Sequence, residues 1–363
     1  MSGAATTLTR REPRMVTMKD IALKTGVSTA TVSRVLNGKD QGRIKPEIAR
    51  EVLHQAEALG YTINPIARGL RTNRSHMIGL ISDAIATTPY AGRIILGAQD
   101  AARAFGYLLT VVNTGDDAEL EREQITMMRR YGVDGFLYAT MYDQIRTLPD
   151  ALDGCATVMV DAEDADGQCP SIGPDEWGIG EDATNRLLTA GCTRISYFGC
   201  PPVLIAQPRR LAGYEAALDQ AGIAPEHRLA LTVDENVNGA QRAATVFDAG
   251  ADGIFCFNDV RVRFIYEEAE RRGLHIGQDV SVVSVDNFEL LAGFFEPRLT
   301  SIELPHYEMG YWGACKLISM IEGRDLNDAL DAVVTDAVMP DLSVDHGHIR
   351  CAIIEKESVR QAA

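Results

Sequence analysis

From His76 onward, short apolar runs alternate with longer stretches of helical periodicity. The runs that look like buried strands are MIGLIS, LLTVVNT, DGFLYATM, ATVMVD, RISYFG, DGIFCFND and VSVVSVD. Strands that alternate with helices form parallel sheets, because each helix returns the chain to the edge where the previous strand began. This alternation predicts an α/β fold with a parallel, doubly wound sheet.

One unit of this pattern occurs twice. YGVDGFLYATM and AGADGIFCFND each contain a helix end, an Asp-Gly turn and a buried strand. The repetition predicts two similar lobes. Ligands of such folds bind in the crevice beyond the carboxyl ends of the strands, so we expect a small-molecule site between the lobes.

The stretch from Asp20 to Gly38 has the pattern of two short helices around a tight turn. Gly26 stands where the chain must reverse, and glycine accepts the left-handed backbone of such a turn. Ser28 suits the N-cap of the second helix, in which apolar side chains separate from small and basic ones. The apolar side carries Val32, Val35 and Leu36, and the other side carries Ala30, Ser33 and Arg34. This division is typical of a major-groove recognition helix, with an ordinary helical hairpin as the alternative.

The charge of the chain is divided unevenly. Its 363 residues, enough for two or three domains, carry a net charge of −16. Residues 1–75 nevertheless hold 13 Lys/Arg against 6 Asp/Glu, and the remainder holds 22 against 45. A basic head on an acidic body confines attraction to phosphate to the head.

Cysteine usage and hydropathy bear on the compartment. The seven cysteines are scattered without a C-x-x-C pair, which indicates reduced thiols and a cytoplasmic protein. No apolar run approaches the length of a membrane span, so no membrane partner is expected. Residues 1–15 have no periodic pattern and are expected to form a disordered tail.

Beyond the two short helices, Pro46 is expected to open a third helix that Gly60 ends. In the segment that follows, Asn64 can cap a short basic helix that carries Leu70 on its apolar side. That helix is too short to be stable alone, and a plain basic linker is the alternative.

These motifs together resemble the lactose-repressor family of bacterial transcription regulators. Val16 to Asn37 is similar to the family's DNA-binding headpiece, Tyr61 to Ser75 to its hinge helix, and the rest to its periplasmic-binding-protein-like core. The resemblance implies a headpiece over 16–62, a hinge over 63–75 and a core over 76–363. It implies a first lobe of about 76–173 and 305–332, and a second of about 174–304 and 333–363.

The resemblance also implies the DNA contacts. It matches Thr29, Ala30 and Arg34 to positions that read bases in near-palindromic, double-stranded operators. The positions matched to phosphate contacts are Thr17, Ser28, Thr31 and Asn37. Asn64, Ala67 and Leu70 match the hinge that enters the minor groove, where a leucine wedges between base steps.

In the core, the resemblance matches Arg210, Asn258 and Asp286 to effector-binding residues. Asp161 and Tyr90 match two further positions of the same cleft. An arginine fork and a carboxylate can each grip two neighbouring hydroxyl groups, so the implied effector is a sugar. The alternative is that Asn and Asp at strand ends cap the following helices, an alternative that is weakest for Arg210 and Asp286.

The resemblance therefore implies a homodimeric, effector-controlled regulator that represses carbohydrate genes. A solute-binding protein would share the core and lack the basic headpiece, and an enzyme would need a catalytic constellation that no motif supplies. We expect no cofactor and no metal site. His346 and His348 lack further residues at ligand spacing and are expected in a surface loop.

Overall fold

A computed structural model describes residues 16–36, 38–61, 74–88, 91–202, 205–234, 236–292, 294–335 and 337–361. These residues form two compact units, one ending at Tyr61 and one beginning at Arg74. The predicted tail and five predicted site residues lie outside the described residues, namely Asn37, Asn64, Ala67, Leu70 and Tyr90. In the described ranges, no helix is both long and apolar enough to cross a membrane.

The first unit contains three helices around a small apolar core. Its helices are α1 (Met18–Thr25), α2 (Thr29–Leu36) and α3 (Pro46–Ala58). The fully buried side chains at its centre are Ile21, Val32 and Val52, one from each helix. The predicted helix-turn-helix is thus confirmed, with a third helix that closes its core.

The turn between the first two helices has the predicted chemistry. Gly26 has φ +68°, the left-handed conformation that a side chain would disfavour. The Ser28 hydroxyl oxygen accepts the backbone N–H of Thr31 at 3.1 Å, which caps the first turn of α2. The turn and the cap together fix where α2 begins.

The second unit begins with one run of strands and helices and continues with a second. The first run is β1 (Met77–Ser82), α4 (Gly92–Ala104), β2 (Leu108–Asn113), α5 (Ala118–Arg130), β3 (Gly135–Arg146), β4 (Thr157–Asp164) and β5 (Ser171–Pro174). The second run is α6 (Glu176–Thr189), β6 (Ile195–Phe198), α7 (Ala206–Gln220), β7 (Arg228–Leu231), α8 (Gly239–Asp248), β8 (Gly253–Cys256), α9 (Asp259–Arg272), β9 (Ser281–Asp286), α10 (Glu289–Ala292) and β10 (Thr300–Glu303). The remaining elements are α11 (His306–Glu322), α12 (Asn327–Leu330), β11 (His346–Ile349) and β12 (Ala352–Ile354). Short 3₁₀ turns occupy Ile85–Thr87, Asp150–Leu152 and Pro225–His227.

The strands form two six-stranded sheets, one in each lobe. The order is β11-β5-β4-β3-β1-β2 in the first lobe and β12-β10-β9-β8-β6-β7 in the second. Neighbouring strands are parallel except for β12, which is antiparallel to β10. The predicted fold class, a small helical headpiece with two doubly wound parallel-sheet lobes, is confirmed.

One predicted lobe boundary is wrong. Residues 333–363 were assigned to the second lobe, but β11 pairs in parallel with β5 and therefore belongs to the first. The Nζ of Lys316 on α11 donates to the carbonyl oxygens of Leu342 at 2.7 Å and Val344 at 3.0 Å, which holds the preceding segment to the first lobe. The last crossing to the second lobe therefore lies between β11 and β12. His346 and His348 consequently lie on a strand and not in a loop.

Candidate functional site

The exposed side of α2 is the candidate DNA-reading surface of the headpiece. Thr29, Ala30 and Arg34 are exposed, while Val32 and Val35 on the opposite side are buried. A helix held by one face in this way presents the other face to a groove without any rearrangement of the core. That these three residues read bases stays a prediction.

The three described residues predicted to contact phosphate lie at the N-terminal ends of α1 and α2. Thr17 donates from its backbone N–H and its hydroxyl to the Asp20 carboxylate, at 2.8 and 2.7 Å. The hydroxyl groups of Ser28 and Thr31 are 3.0 Å apart. Helix N-termini favour anions because their first N–H groups have no partner within the helix. Both ends thus suit phosphate, although Asp20 opposes it at α1.

Between the lobes, a small cavity collects side chains from both. Four of the five predicted effector residues line it: Asp161 from the first lobe, and Arg210, Asn258 and Asp286 from the second. The other lining residues are Met141, Tyr142, Glu176, Ala206, Phe257, Leu304 and His306. Four predicted residues that are far apart in the sequence therefore converge on one cleft.

Arg210 is held rigidly in this cleft. The residue is only 3% exposed. Its Nε and one Nη donate to the two carboxylate oxygens of Glu176, the latter at 3.0 Å, and the other Nη donates to the carbonyl of Phe257 at 2.6 Å. The guanidinium also lies 4.5 Å from the centre of the Phe257 ring. Such a fork is oriented before any ligand arrives, which lowers the entropic cost of binding.

Two glycines bring Arg210 and Glu176 together. A Cβ on Gly180 of α6 would lie 2.0 Å from the Arg210 carbonyl oxygen, and one on Gly213 of α7 would lie 2.0 Å from that of Trp177. Only glycine permits this approach of the two helix backbones. The close crossing places the first turn of α6, with Glu176, beside the first turns of α7.

Two carboxyl groups of the cleft, those of Asp161 and Asp286, have raised pKa values. Burial first, and the charge of Glu176 second, raise the pKa of Asp161 to about 7. Burial first, and Asp259 second, raise the pKa of Asp286 well above its ordinary value, although Arg210 opposes the shift. At both residues, desolvation thus exceeds the attraction of the arginine.

Several cleft residues adopt backbone conformations that side chains disfavour. The φ angles are +71° at Tyr142, +53° at Asp161, +107° at Asp286 and +45° at Asn287. Each such residue costs of order 1–3 kcal/mol and tends to persist at ligand-binding positions. The concentration of this strain around the cavity favours a functional role for the cleft independently of its charges.

For the residues after β8, the capping alternative holds in part. The Asn258 side chain accepts the backbone N–H of Arg261 at 3.4 Å and its guanidinium at 2.9 Å, so it caps α9. Asp259 accepts the Ser301 hydroxyl at 2.8 Å and the Phe288 N–H at 2.9 Å, which ties β10 to the turn after β9. Asn258 therefore combines a cap with a place in the cavity wall.

Sequence reasoning missed Glu176 and His306. Glu176 lies two residues after β5, a short strand that was not among the predicted strands, so no strand end pointed to it. His306 is buried, and burial followed by Arg93 lowers its pKa to about 4, which keeps it neutral. It carried no sequence signal. In the described residues, no His, Cys, Asp or Glu cluster could hold a metal ion.

Ion pairs join the two lobes around the cavity. Arg209 on α7 donates to both carboxylate oxygens of Glu163 on β4, one at 2.9 Å, and lies 3.6 Å from Asp143 on β3. His348 on β11 lies 3.5 Å from Glu163, and with Arg209 it lowers the pKa of Glu163 to about 2. On another side, Arg93 pairs with Glu303 at 2.8 Å. These contacts hold the lobes in the arrangement observed.

Comparison with known proteins agrees with this architecture. Residues 75–336 match the model of the periplasmic binding proteins and sugar binding domain of the LacI family, and residues 17–64 match that of the bacterial regulatory proteins, lacI family. The chain is 31% identical to the transcriptional regulator RegA of Clostridium saccharobutylicum, over 86% of this chain and 94% of that protein. It is 32% identical to the ribose operon repressor of Escherichia coli K12, over 82% and 90% respectively.

A solved structure gives the same result. A putative LacI-family transcriptional regulator from Rhizobium etli superposes with a TM-score of 0.69 at 30% identity, covering 79% of this chain and all of that one. The headpiece, the two lobes and these matches lead to one conclusion. This chain is a member of the LacI family of bacterial DNA-binding transcription regulators.

Proposed function

We propose that this protein is a cytoplasmic repressor whose affinity for operator DNA is controlled by a sugar bound between the two lobes. Relatives support the class of effector, since one similar protein is a ribose operon repressor and another a sucrose operon repressor. The observation that carries the proposal is the cleft itself. Asp161 from one lobe faces Arg210 and Asp286 from the other around one cavity.

A sugar in this cavity touches both lobes and so favours one arrangement of them over another. Its hydroxyl groups donate to Asp161 and Asp286 and accept from the Arg210 fork. A ligand shifts an equilibrium only by the difference in its affinities for the two states. Lobe movement changes the separation of the two hinges of a dimer, and thereby the spacing of the headpieces on DNA.

On the DNA side, α2 enters the major groove. Arg34 reads a guanine, because its planar fork matches the two acceptors that guanine presents there. Thr29 and Ala30 supply a hydroxyl and methyl contacts, and Thr17, Ser28, Thr31 and Asn37 bind phosphate. In the hinge, Asn64 and Ala67 line the minor groove and Leu70 wedges into the central base step.

The acting form in this proposal is a homodimer on a near-palindromic operator. Two exposed apolar side chains of the second lobe, Leu290 at 62% and Phe294 at 85% exposure, support an interface there. On the first lobe, Leu96 of α4 is 48% exposed. Large apolar groups left in solvent are typical of surfaces that pair with another subunit.

The test starts from a DNA sequence selected by the full chain from a random duplex pool. Release of this DNA is then titrated with a panel of neutral sugars, for the wild type, Asp286→Asn and the control Asp331→Asn, in which an exposed carboxylate is replaced. Asp286→Asn should bind DNA normally but need roughly tenfold more sugar for half-release, because a charged hydrogen bond is lost. Release of both variants at the wild-type sugar concentration contradicts the proposed site, and no release by any sugar contradicts the proposed effector.

A further inference from the structure

The cavity between the lobes is far smaller than a sugar. Its volume is about 20 Å³, which is room for about one water molecule. Sites that bind small organic ligands generally have volumes of roughly 300–1,000 Å³. The arrangement of the lobes in this structure therefore excludes a sugar, and the cavity must enlarge before a sugar can enter.

The walls of the cavity are held within each lobe. In the second lobe, Arg210 is bonded to Glu176, and Asn258 caps α9. In the first lobe, the Thr140 hydroxyl donates to the backbone carbonyl oxygen of Asp161 at 2.7 Å. Because bonded and closely packed walls resist local change, the movement that enlarges the cavity is separation of the two lobes.

Arg209 joins the two lobes beside this cavity. From α7 in the second lobe, its guanidinium donates to both carboxylate oxygens of Glu163 on β4, one of them at 2.9 Å. The same guanidinium lies 3.6 Å from the carboxylate of Asp143 on β3. Both carboxylates belong to the first lobe, and all three residues lie outside the cavity wall. Arg209 therefore connects the lobes without occupying the proposed sugar site.

The contact is stronger than an ordinary surface ion pair. The side chain of Asp143 is 1% exposed and that of Glu163 is 27% exposed. His348, whose Nε2 lies 3.5 Å from Glu163, and Arg209 together lower the pKa of Glu163 to about 2, so this carboxylate is ionised at neutral pH. A bidentate arginine–carboxylate pair that is partly removed from water is held more firmly than an exposed pair.

We propose that Arg209, Glu163 and Asp143 form a latch that holds the lobes closed and opposes effector binding. The inference rests on the proposed function, since it concerns the entry of a sugar into the proposed site. A ligand that binds only the open arrangement has an apparent dissociation constant equal to the intrinsic one divided by the fraction of open molecules. Weakening the latch therefore increases the affinity for the sugar, whereas loss of a contact residue decreases it.

The first experiment follows the lobes of the full chain with no sugar added. Nitroxide labels are attached through Tyr131→Cys in the first lobe and Val237→Cys in the second, both at exposed positions. Cys155→Ser removes the half-buried native thiol, and the other cysteines are buried. Labelled chains are diluted with unlabelled chains to suppress distances between subunits. In double electron–electron resonance, Arg209→Gln should raise the population at longer interlobe distances at least about twofold.

Arg146→Gln is the matched control. The Arg146 side chain is as exposed as that of Arg209, at 34% against 35%, and its Nη lies 2.7 Å from Asp116 in the same lobe. Its loss removes an equal charge and breaks an ion pair that does not cross the cleft, so the interlobe distances should stay those of the wild type. Unchanged distances in Arg209→Gln as well overturn the latch.

The second experiment measures, by calorimetry, the dissociation constant of the sugar that releases the selected DNA from the wild type. Arg209→Gln and Glu163→Gln should each bind this sugar at least about threefold more tightly than the wild type. Because both substitutions remove the same contact, the double variant should bind about as tightly as Arg209→Gln alone. Arg146→Gln should bind like the wild type.

Two results of this measurement overturn the latch. Weaker binding by Arg209→Gln would place Arg209 in the sugar site, and wild-type binding by Arg209→Gln would show that the contact does not oppose entry. If no sugar binds or releases DNA, the sugar class in the proposed function fails. The interlobe distances then decide by themselves whether Arg209 holds the lobes closed.

Discussion

The headpiece and the interlobe cleft hold their candidate contact residues in opposite ways. On α2, Thr29, Ala30 and Arg34 are exposed, and their positions follow from the burial of Val32 and Val35 on the other side of one short helix. In the cleft, Arg210 is buried and bonded to Glu176, which comes from a different helix. The α2 surface follows from the periodicity of one helix, whereas the cleft depends on contacts between residues that are far apart in the sequence.

This difference predicts different responses to substitution. An exposed side chain on a stable helix can be removed with little effect on folding, so its loss shows in DNA binding alone. A buried ion pair cannot lose one partner without leaving an uncompensated charge in the interior. Substitutions in the cleft therefore change stability as well as ligand binding. Substitutions on the exposed side of α2 should change DNA binding and leave stability nearly unchanged.

The largest effect is expected from Arg210→Ala. Because Glu176 is left buried without its partner, the free energy of unfolding of the core should fall by about 3–5 kcal/mol. The control Arg93→Ala breaks an exposed ion pair with Glu303 and should cost at most about 1 kcal/mol. Urea denaturation of the full chain measures both. Equal costs for the two variants would show that the buried pair is not what holds Arg210.

A pH dependence should follow from Asp161. Its pKa of about 7 in the folded protein is above the value of about 3.9 in unfolded chains. Its contribution is therefore fully present below pH 4 and is lost as the pH rises through 7. Relative to Asp161→Asn, the wild type should lose at most about 4 kcal/mol of unfolding free energy between pH 4 and 8.

Denaturation of the wild type, Asp161→Asn and the control Asp331→Asn at several pH values measures this loss. Asp331→Asn should run parallel to the wild type. A parallel curve for Asp161→Asn as well would mean that Asp161 titrates as an ordinary exposed carboxylate.

In the headpiece, Arg34→Ala should leave folding intact and remove discrimination among DNA sequences by about 1–3 kcal/mol, the range for one bidentate base contact. The control Arg50→Ala removes the same charge from an exposed position on α3. Both variants should bind all DNA somewhat more weakly. Affinities for selected and unrelated duplexes, measured at one salt concentration, separate the two effects. If Arg34→Ala keeps the wild-type ratio of affinities for selected and unrelated duplexes, the base-reading role is contradicted.

The smallest effect is expected from Ser28→Ala, which removes the cap of α2 and should destabilise the headpiece by about 1 kcal/mol. Ser28→Asn keeps a capping side chain and should restore most of that loss. Hydrogen exchange of the α2 amides measures the local stability. Faster exchange in both variants would mean that the hydroxyl is needed for something other than the cap.

The sequence by itself determined the local features of this protein. The 3.6-residue period of Thr29–Leu36 divides α2 into a buried and an exposed face, and Gly26 and Ser28 specify the turn before it. The alternation of apolar runs and helices determined the two parallel-sheet lobes, and the resemblance to a known family matched Asp161 and Asp286 to the cleft. Each of these depends on residues within a few turns of one another, so a pattern along the chain is enough.

Only the tertiary structure decided which residues and strands contact one another across long distances in the sequence. Glu176 meets Arg210 because Gly180 and Gly213 let two helices cross closely, and no spacing along the chain records that approach. The pairing of β11 with β5 depends on residues far apart in sequence, and a four-residue strand with two histidines has too weak a pattern to reveal it. Asp143 differs from an exposed carboxylate only by burial between the lobes. Burial and long-range pairing are properties of packing, which is why the sequence indicated the cleft and the fold selected the residues that line it.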